Sequence, residues 1–246
     1  MLETLRNVKR KVVGGQSEKD SFDELFALVQ ANTYCDYETL KSLARLARLV
    51  DEAKIEGDFV ECGTYKGGSA AVIAHYMKAH RHLWLYDSFQ GLPPATEVDG
   101  ADAQEWTGKC YGTETEVLEL MKAAGVPENR FTLMKGWFNE TFKEHLPEKV
   151  AFLHCDADWY DSVLLVLETF YPRMENGAVI VLDDFGAWEG CREAFYDFCQ
   201  KHNVKPLLER VAQAQAFWVK GKTTNRPPRE IMTTMLEKEK GYTPEN

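Results

Sequence analysis

No stretch of this 246-residue chain is apolar for the roughly 20 consecutive residues that a bilayer crossing takes, which excludes a helical membrane span. Basic charge is not in surplus either. The formal net charge is −10, whereas a general nucleic-acid binder needs a cationic surface. The cysteines Cys35, Cys62, Cys110, Cys155, Cys191 and Cys199 include no CxxC pair, so a disulfide framework is not indicated and reduced thiols are expected. There is no GxGxxG, which removes the main mark of a dinucleotide oxidoreductase. No P-loop Lys-Ser/Thr pair follows a glycine turn, so a triphosphate is not implied. Repeats and low-complexity segments are missing. The initial MLETLRNVKRKVVGG is locally basic but lacks the apolar core of a secretory signal. A cytoplasmic protein with a solvated basic tail is expected.

What the chain does contain is a regular alternation of short β-branched runs and helical spacings. Apolar residues at helical intervals predict helices over 21–30 and 38–53. Strands are expected at 58–62, 82–86, 131–135, 150–156 and 178–182, with helices at 70–78, 115–124, 162–170 and 187–201 between and after them. Two further short strands are expected near 204–208 and 214–220. Glu175-Asn176-Gly177 reads as a turn. The polar segment 95–113 reads as a mobile substrate lid. Such alternation sets the class as α/β with a mostly parallel seven-stranded sheet and helices on both faces. Residues 1–56 form an amino-terminal helical segment and lid, 57–220 the main domain, and 221–246 a tail with a short helix near 231–236.

The chemistry concentrates at strand ends. VAFLHCDAD, residues 150–158, and AVIVLDD, residues 178–184, each run apolar and stop in paired aspartates. Buried parallel strands look like this when they deliver acids to the carboxyl edge of a sheet, where open α/β sheets bind their ligands. Asp156, Asp158, Asp183 and Asp184 would converge there, and close carboxylates need a cation or a proton between them. Oxygen-only ligands suit a hard ion such as Mg²⁺. The competing reading is that some of these acids cap the next helix. Residues 63–69, GTYKGGS, form a glycine turn between the first strand and an Ala-rich helix. Asp87 lies about 20 residues further on, where an acid can bind ribose hydroxyls. Trp137 or Phe138, at the end of the third strand, could stack on a purine or be core. Thr33 and Tyr34 are candidate lid residues over the cofactor cleft or simple packing between helices. His154 reads as hydrogen-bonded core, with a base as the alternative. Trp159 and Tyr160 are candidate acceptor contacts or packing.

The motifs ECGTYKGGSA (61–70), DSFQGLP (87–93), GWFNETF (136–142), HCDADWYDS (154–162) and VIVLDDF (179–185) together resemble the macrocin O-methyltransferase family, the metal-dependent sugar methyltransferases of macrolide and aminocoumarin antibiotic biosynthesis. The resemblance runs from about residue 32 to about 202. It implies a Rossmann-like class I methyltransferase fold with S-adenosylmethionine as donor and Mg²⁺ as metal. Carried over residue by residue, Glu61, Gly63, Gly68 and Ser69 would lie at the methionine end, and Thr64 and Tyr65 would also bind the donor. Asp87 and Ser88 would bind the ribose, and Gly136 and Trp137 would lie by the adenine. Asp156, Asp183 and Asp184 would hold the metal, Asp156 also bordering the donor, and Asp158 would be the general base. The implied acceptor is a small molecule, a sugar or glycoside, and the implied assembly is a homo-oligomer. A catechol-type O-methyltransferase acting on phenols shares the fold and the donor. That family typically ends its metal site in Asp-Asn, where this chain has Asp183-Asp184.

Overall fold

The computed structural model describes residues 15–224, so the basic amino-terminal stretch and the expected helix near 231–236 lie outside the described residues. Helix α1 (Gly15–Val29) and α2 (Tyr37–Glu52) precede the sheet. Asp36 caps α2, its carboxylate accepting the Thr39 N–H at 2.8 Å. The spacing of Leu40, Leu43, Leu46, Ala47 and Val50 puts all five on the buried face of α2.

The alternation then builds β1 (Asp58–Cys62), α3 (Gly68–Tyr76), β2 (Leu83–Asp87), α4 (Glu114–Ala123), β3 (Phe131–Lys135), α5 (Phe138–Glu144), β4 (Val150–Cys155), α6 (Tyr160–Phe170), β5 (Met174–Leu182), α7 (Glu189–Lys201), β6 (Glu209–Val211) and β7 (Gln215–Val219). The seven strands order as β3-β2-β1-β4-β5-β7-β6. The first five are parallel, and β7 runs antiparallel between β5 and β6. All six residues of β4 are buried, which is why its sequence is a continuous apolar run rather than an alternation. Successive strand residues point to opposite faces and form two cores. Phe59, Phe152 and Val179 pack with α1, α2, α3 and α4, whereas Val60, Leu153 and Ile180 pack with α6 and α7. Strand order reverses between β1 and β4, so the crevice above their carboxyl ends is the expected ligand site.

Two expectations need correction, and two segments gain detail. Residues 204–208 form no strand; Pro206 has no N–H for a ladder, and β6 begins at Glu209. Glu175-Asn176-Gly177 lies inside β5, where Gly177 N–H bonds the Lys220 carbonyl and the pairing with β4 shifts register between Val150 and Phe152. GWFNETF contains a helix, α5, that its two aromatics concealed. Segment 95–113, expected as a substrate lid, is anchored at a few buried points. Its Thr96 and Asp99 form a capping box, and Ala95 and Ala103 bury against Trp159. Leu92 and Gly108 bond across its ends. Asp99 is 1% exposed and also accepts the Tyr160 N–H at 2.7 Å, capping α6 from outside that helix.

Candidate active site

One cavity of about 640 Å³ opens over the carboxyl ends of β1, β2, β3, β4 and β5. Its first end is mostly backbone. β1 runs into Gly63, whose φ is +92°. A Cβ there would meet the Asp156 carbonyl at 1.7 Å, so only glycine lets the two strand tips approach this closely. A Cβ on Gly68 would meet the Thr33 Cβ at 2.6 Å, so that glycine seats the amino-terminal segment against the start of α3. Asp87, at the tip of β2, accepts the Thr64 and Tyr65 N–H groups at 2.8 Å and the Phe89 N–H at 2.6 Å. The acid that the sequence assigned to ribose therefore also shapes the glycine turn. Burial pushes its carboxyl up, against those three N–H groups.

The second end is made of side chains. Carboxylate oxygens of Asp156, Asp158 and Asp184 all lie within 4.8 Å of one another. Asp156, Asp183 and the Cys35 sulfur form a second set within the same limit. Burial raises the carboxyls of Asp156 and Asp184, and their like-charged neighbours raise them further. Burial, opposed by the Trp188 N–H and reinforced by Asp183, pushes Asp158 up to about 7. Asp158 holds a left-handed backbone (φ +54°), and Trp188 Nε1–H donates to its Oδ1 at 3.0 Å.

Asp183 behaves differently from its neighbour in sequence. Its Oδ1 lies 3.3 Å from His154 Nε2 and accepts from Gln215 Nε2 at 2.8 Å. Burial works against its charge, but the His154 and Gln215 bonds win and hold the carboxyl below its ordinary value. His154 is fully buried, as the sequence indicated, and its Nδ1 lies 2.9 Å from Glu61 Oε1. Burial depresses the imidazole, but Asp183 and Glu61 outweigh it and raise it to about 9.

Of the site residues read from sequence, Thr33, Tyr34, Gly63, Thr64, Tyr65, Ser69, Asp87, Ser88, Gly136, Trp137, Asp156, Asp158, Asp183 and Asp184 line this one cavity. Tyr34 is 74% exposed and stacks on Tyr65, with ring centroids 5.2 Å apart. Glu61 and Gly68 do not line it. Glu61 is fully buried behind the wall against His154, and Gly68 lies under Asn32 and Thr33. Trp159 lines the cavity but is 2% exposed, its N–H donated to the Pro93 carbonyl. Tyr160 lies outside this lining, its hydroxyl bonded to Asp197 at 2.7 Å. Sequence reasoning missed Cys35, Gln215 and Trp188 because their partners are distant in the chain. A tryptophan shortly after an Asp-Asp strand tip was the only local signal.

The donor set fits a hard divalent cation: several carboxylates converge, and buried Asp184 Oδ2 has no partner. The glycine turn and β2 acid fit a nucleoside-bearing donor.

The family model described as Macrocin-O-methyltransferase matches residues 6–220. Over 197 residues the chain is 26% identical to the 8-demethyl-8-(2,3-dimethoxy-alpha-L-rhamnosyl)-tetracenomycin-C 4'-O-methyltransferase of Streptomyces olivaceus, covering 76% of this chain and 75% of the relative. It is 26% identical over 193 residues to the mycinamicin III 3''-O-methyltransferase of Micromonospora griseorubida, covering 73% and 76%. Among solved structures, the O-methyltransferase NovP superposes with a TM-score of 0.69 at 23% identity, covering 77% of this chain and 82% of that one, which establishes the shared fold. With the family's residues matched across the whole described sheet, the chain belongs to the macrocin-O-methyltransferase family and is a S-adenosylmethionine-dependent O-methyltransferase.

Proposed function

We propose that this protein methylates a sugar hydroxyl of a glycosylated natural product, using a magnesium ion at the aspartate cluster and Asp158 as general base. The carrying observation is that one cavity joins the glycine turn to four convergent aspartates. A relative named for a rhamnosyl-tetracenomycin acceptor supports the acceptor class.

At the donor end, Gly63, Thr64, Tyr65 and Ser69 would border the methionine portion. Asp87 and Ser88 would take the ribose, and Gly136 and Trp137 the adenine. Asp156, Asp183 and Asp184 would hold the magnesium ion, which supplies a Lewis acid beside an otherwise weakly acidic alcohol. Asp183 suits a ligand role: His154 and Gln215 occupy one oxygen and keep the group anionic. Asp158 suits proton acceptance, since it sits in the same acid set but is oriented by an indole N–H. When bound, S-adenosylmethionine would supply a sulfonium methyl group and end as S-adenosylhomocysteine, while Asp158 would take the proton that the acceptor hydroxyl gives up as its oxygen gains the methyl. Holding both reactants in one walled cavity supplies much of the rate.

The test is transfer of labelled methyl from S-adenosylmethionine to a panel of glycosides, with and without EDTA. Magnesium-restored methylation of a sugar hydroxyl is expected. Full turnover in EDTA would remove the metal from this reading, and exclusive methylation of phenols would remove the sugar.

A further inference from the structure

We propose that Trp188 and Trp106 form an acceptor subsite that holds one face of a pyranose ring, and that the Trp188 indole N–H sets the orientation of Asp158. The inference rests on the sugar-methylation reading above and names residues within it.

Three tryptophans meet on the aspartate side of the cavity. Trp188 lies edge-to-face with Trp159 at 4.9 Å and with Trp106 at 5.9 Å. Their roles differ. Trp159 is buried and its N–H is spent on the Pro93 carbonyl, so it acts as the fixed backing. Trp188 and Trp106 are half-buried and line the cavity. Trp106 is carried on segment 95–113, which Asp99 joins to the start of α6. Contacts that orient the indoles lower the ordering cost of binding.

The chemistry of the two sides suits a pyranose. A sugar ring presents C–H groups on one face and hydroxyls at its rim. The two indoles meet at 71° and offer an apolar corner, with Lys109 Nζ over the Trp106 ring at 5.3 Å, while Asp158, together with Asp161 and Ser162 at the start of α6, offers polar partners in the same cavity. Trp188 belongs to both sides: its ring is in the wall, and its Nε1–H holds Asp158 Oδ1 at 3.0 Å. Asp158 holds a left-handed backbone, which is uncommon for a non-glycine residue. Fixing one oxygen there leaves the other to face an acceptor hydroxyl. Trp188 is thus a positioning residue for the base as well as a contact for the ring.

The experiment uses the full chain with S-adenosylmethionine, magnesium, and a panel of methyl pyranosides, rhamnosyl natural products and caffeic acid. Trp188→Phe keeps a ring and loses the N–H. It is expected to lower kcat by about tenfold to a hundredfold, with acceptor KM and calorimetric donor affinity unchanged. Trp106→Ala should raise acceptor KM by about tenfold at unchanged kcat, and Trp106→Phe should restore most of it. Unchanged kcat in Trp188→Phe, or loss of its donor binding, overturns the positioning role. An unchanged KM in Trp106→Ala overturns the stacking role. If the wild-type protein methylates no sugar, or methylates caffeic acid ahead of every pyranoside, the sugar-methylation reading fails first and the subsite falls with it.

Discussion

The two edges of the parallel sheet both carry acids, buried at one and half-buried at the other, and they treat them in opposite ways. At the amino edge Asp51 is closed off. Arg81 Nε donates to its Oδ1 at 2.5 Å, Lys78 N–H donates to its Oδ2 at 2.8 Å, and the rest of the guanidinium binds the Gly57 and Ile55 carbonyls. Both side chains are 3% exposed. At the carboxyl edge four aspartates converge, and among the described residues no Lys or Arg pairs with any of them. Only Asp183 has a cationic partner, His154. A charge matched on every side fastens the helix before β1 to the chain entering β2. A cluster left unmatched over a cavity is poised for a ligand that brings the missing positive charge. The same contrast is repeated inside the Asp183-Asp184 pair: one carboxylate is surrounded by donors, and the other keeps a buried oxygen without a partner.

Substitutions can sharpen that contrast. The largest effect is expected at the open edge. Asp158→Asn should lower kcat by about 10²- to 10⁴-fold while calorimetry shows S-adenosylmethionine binding intact. Turnover within twofold of wild type would take Asp158 out of the base role. At the closed edge, Arg81→Met leaves Asp51 buried without its cation. Denaturant unfolding should show a loss of about 3–5 kcal/mol, with kcat unchanged in the fraction that stays folded. A large kcat loss in that variant would mean that the two edges are coupled. Smaller again is Gln215→Leu, which removes the 2.8 Å bond that orients Asp183. Magnesium affinity should fall by about tenfold to a hundredfold, and donor affinity should not move.

What could be read from the sequence followed the range of the interactions. The parallel strands were legible because burial on both faces leaves continuous β-branched runs. The aspartate cluster was legible because two such runs end abruptly in acids. Asp87 was found from its distance after the glycine turn, although its hold on the Thr64 and Tyr65 N–H groups could not be seen. Gln215 reaches Asp183 only because β7 runs antiparallel to β5, and no spacing encodes that. Cys35 lies 3.7 Å from the Asp183 carboxylate across 148 residues of chain. The anchors of segment 95–113, Asp99 and Trp159, were hidden from the sequence because they are joined through tertiary contacts and not through a local pattern.

The most direct measurement is isothermal calorimetry of magnesium into the protein saturated with S-adenosylhomocysteine, for the wild type and for Asp184→Ala. Saturable binding at one site in the wild type, abolished in the variant, is the expected result. No binding to the wild type, or equal binding to both, would contradict a divalent cation at the convergent strand tips.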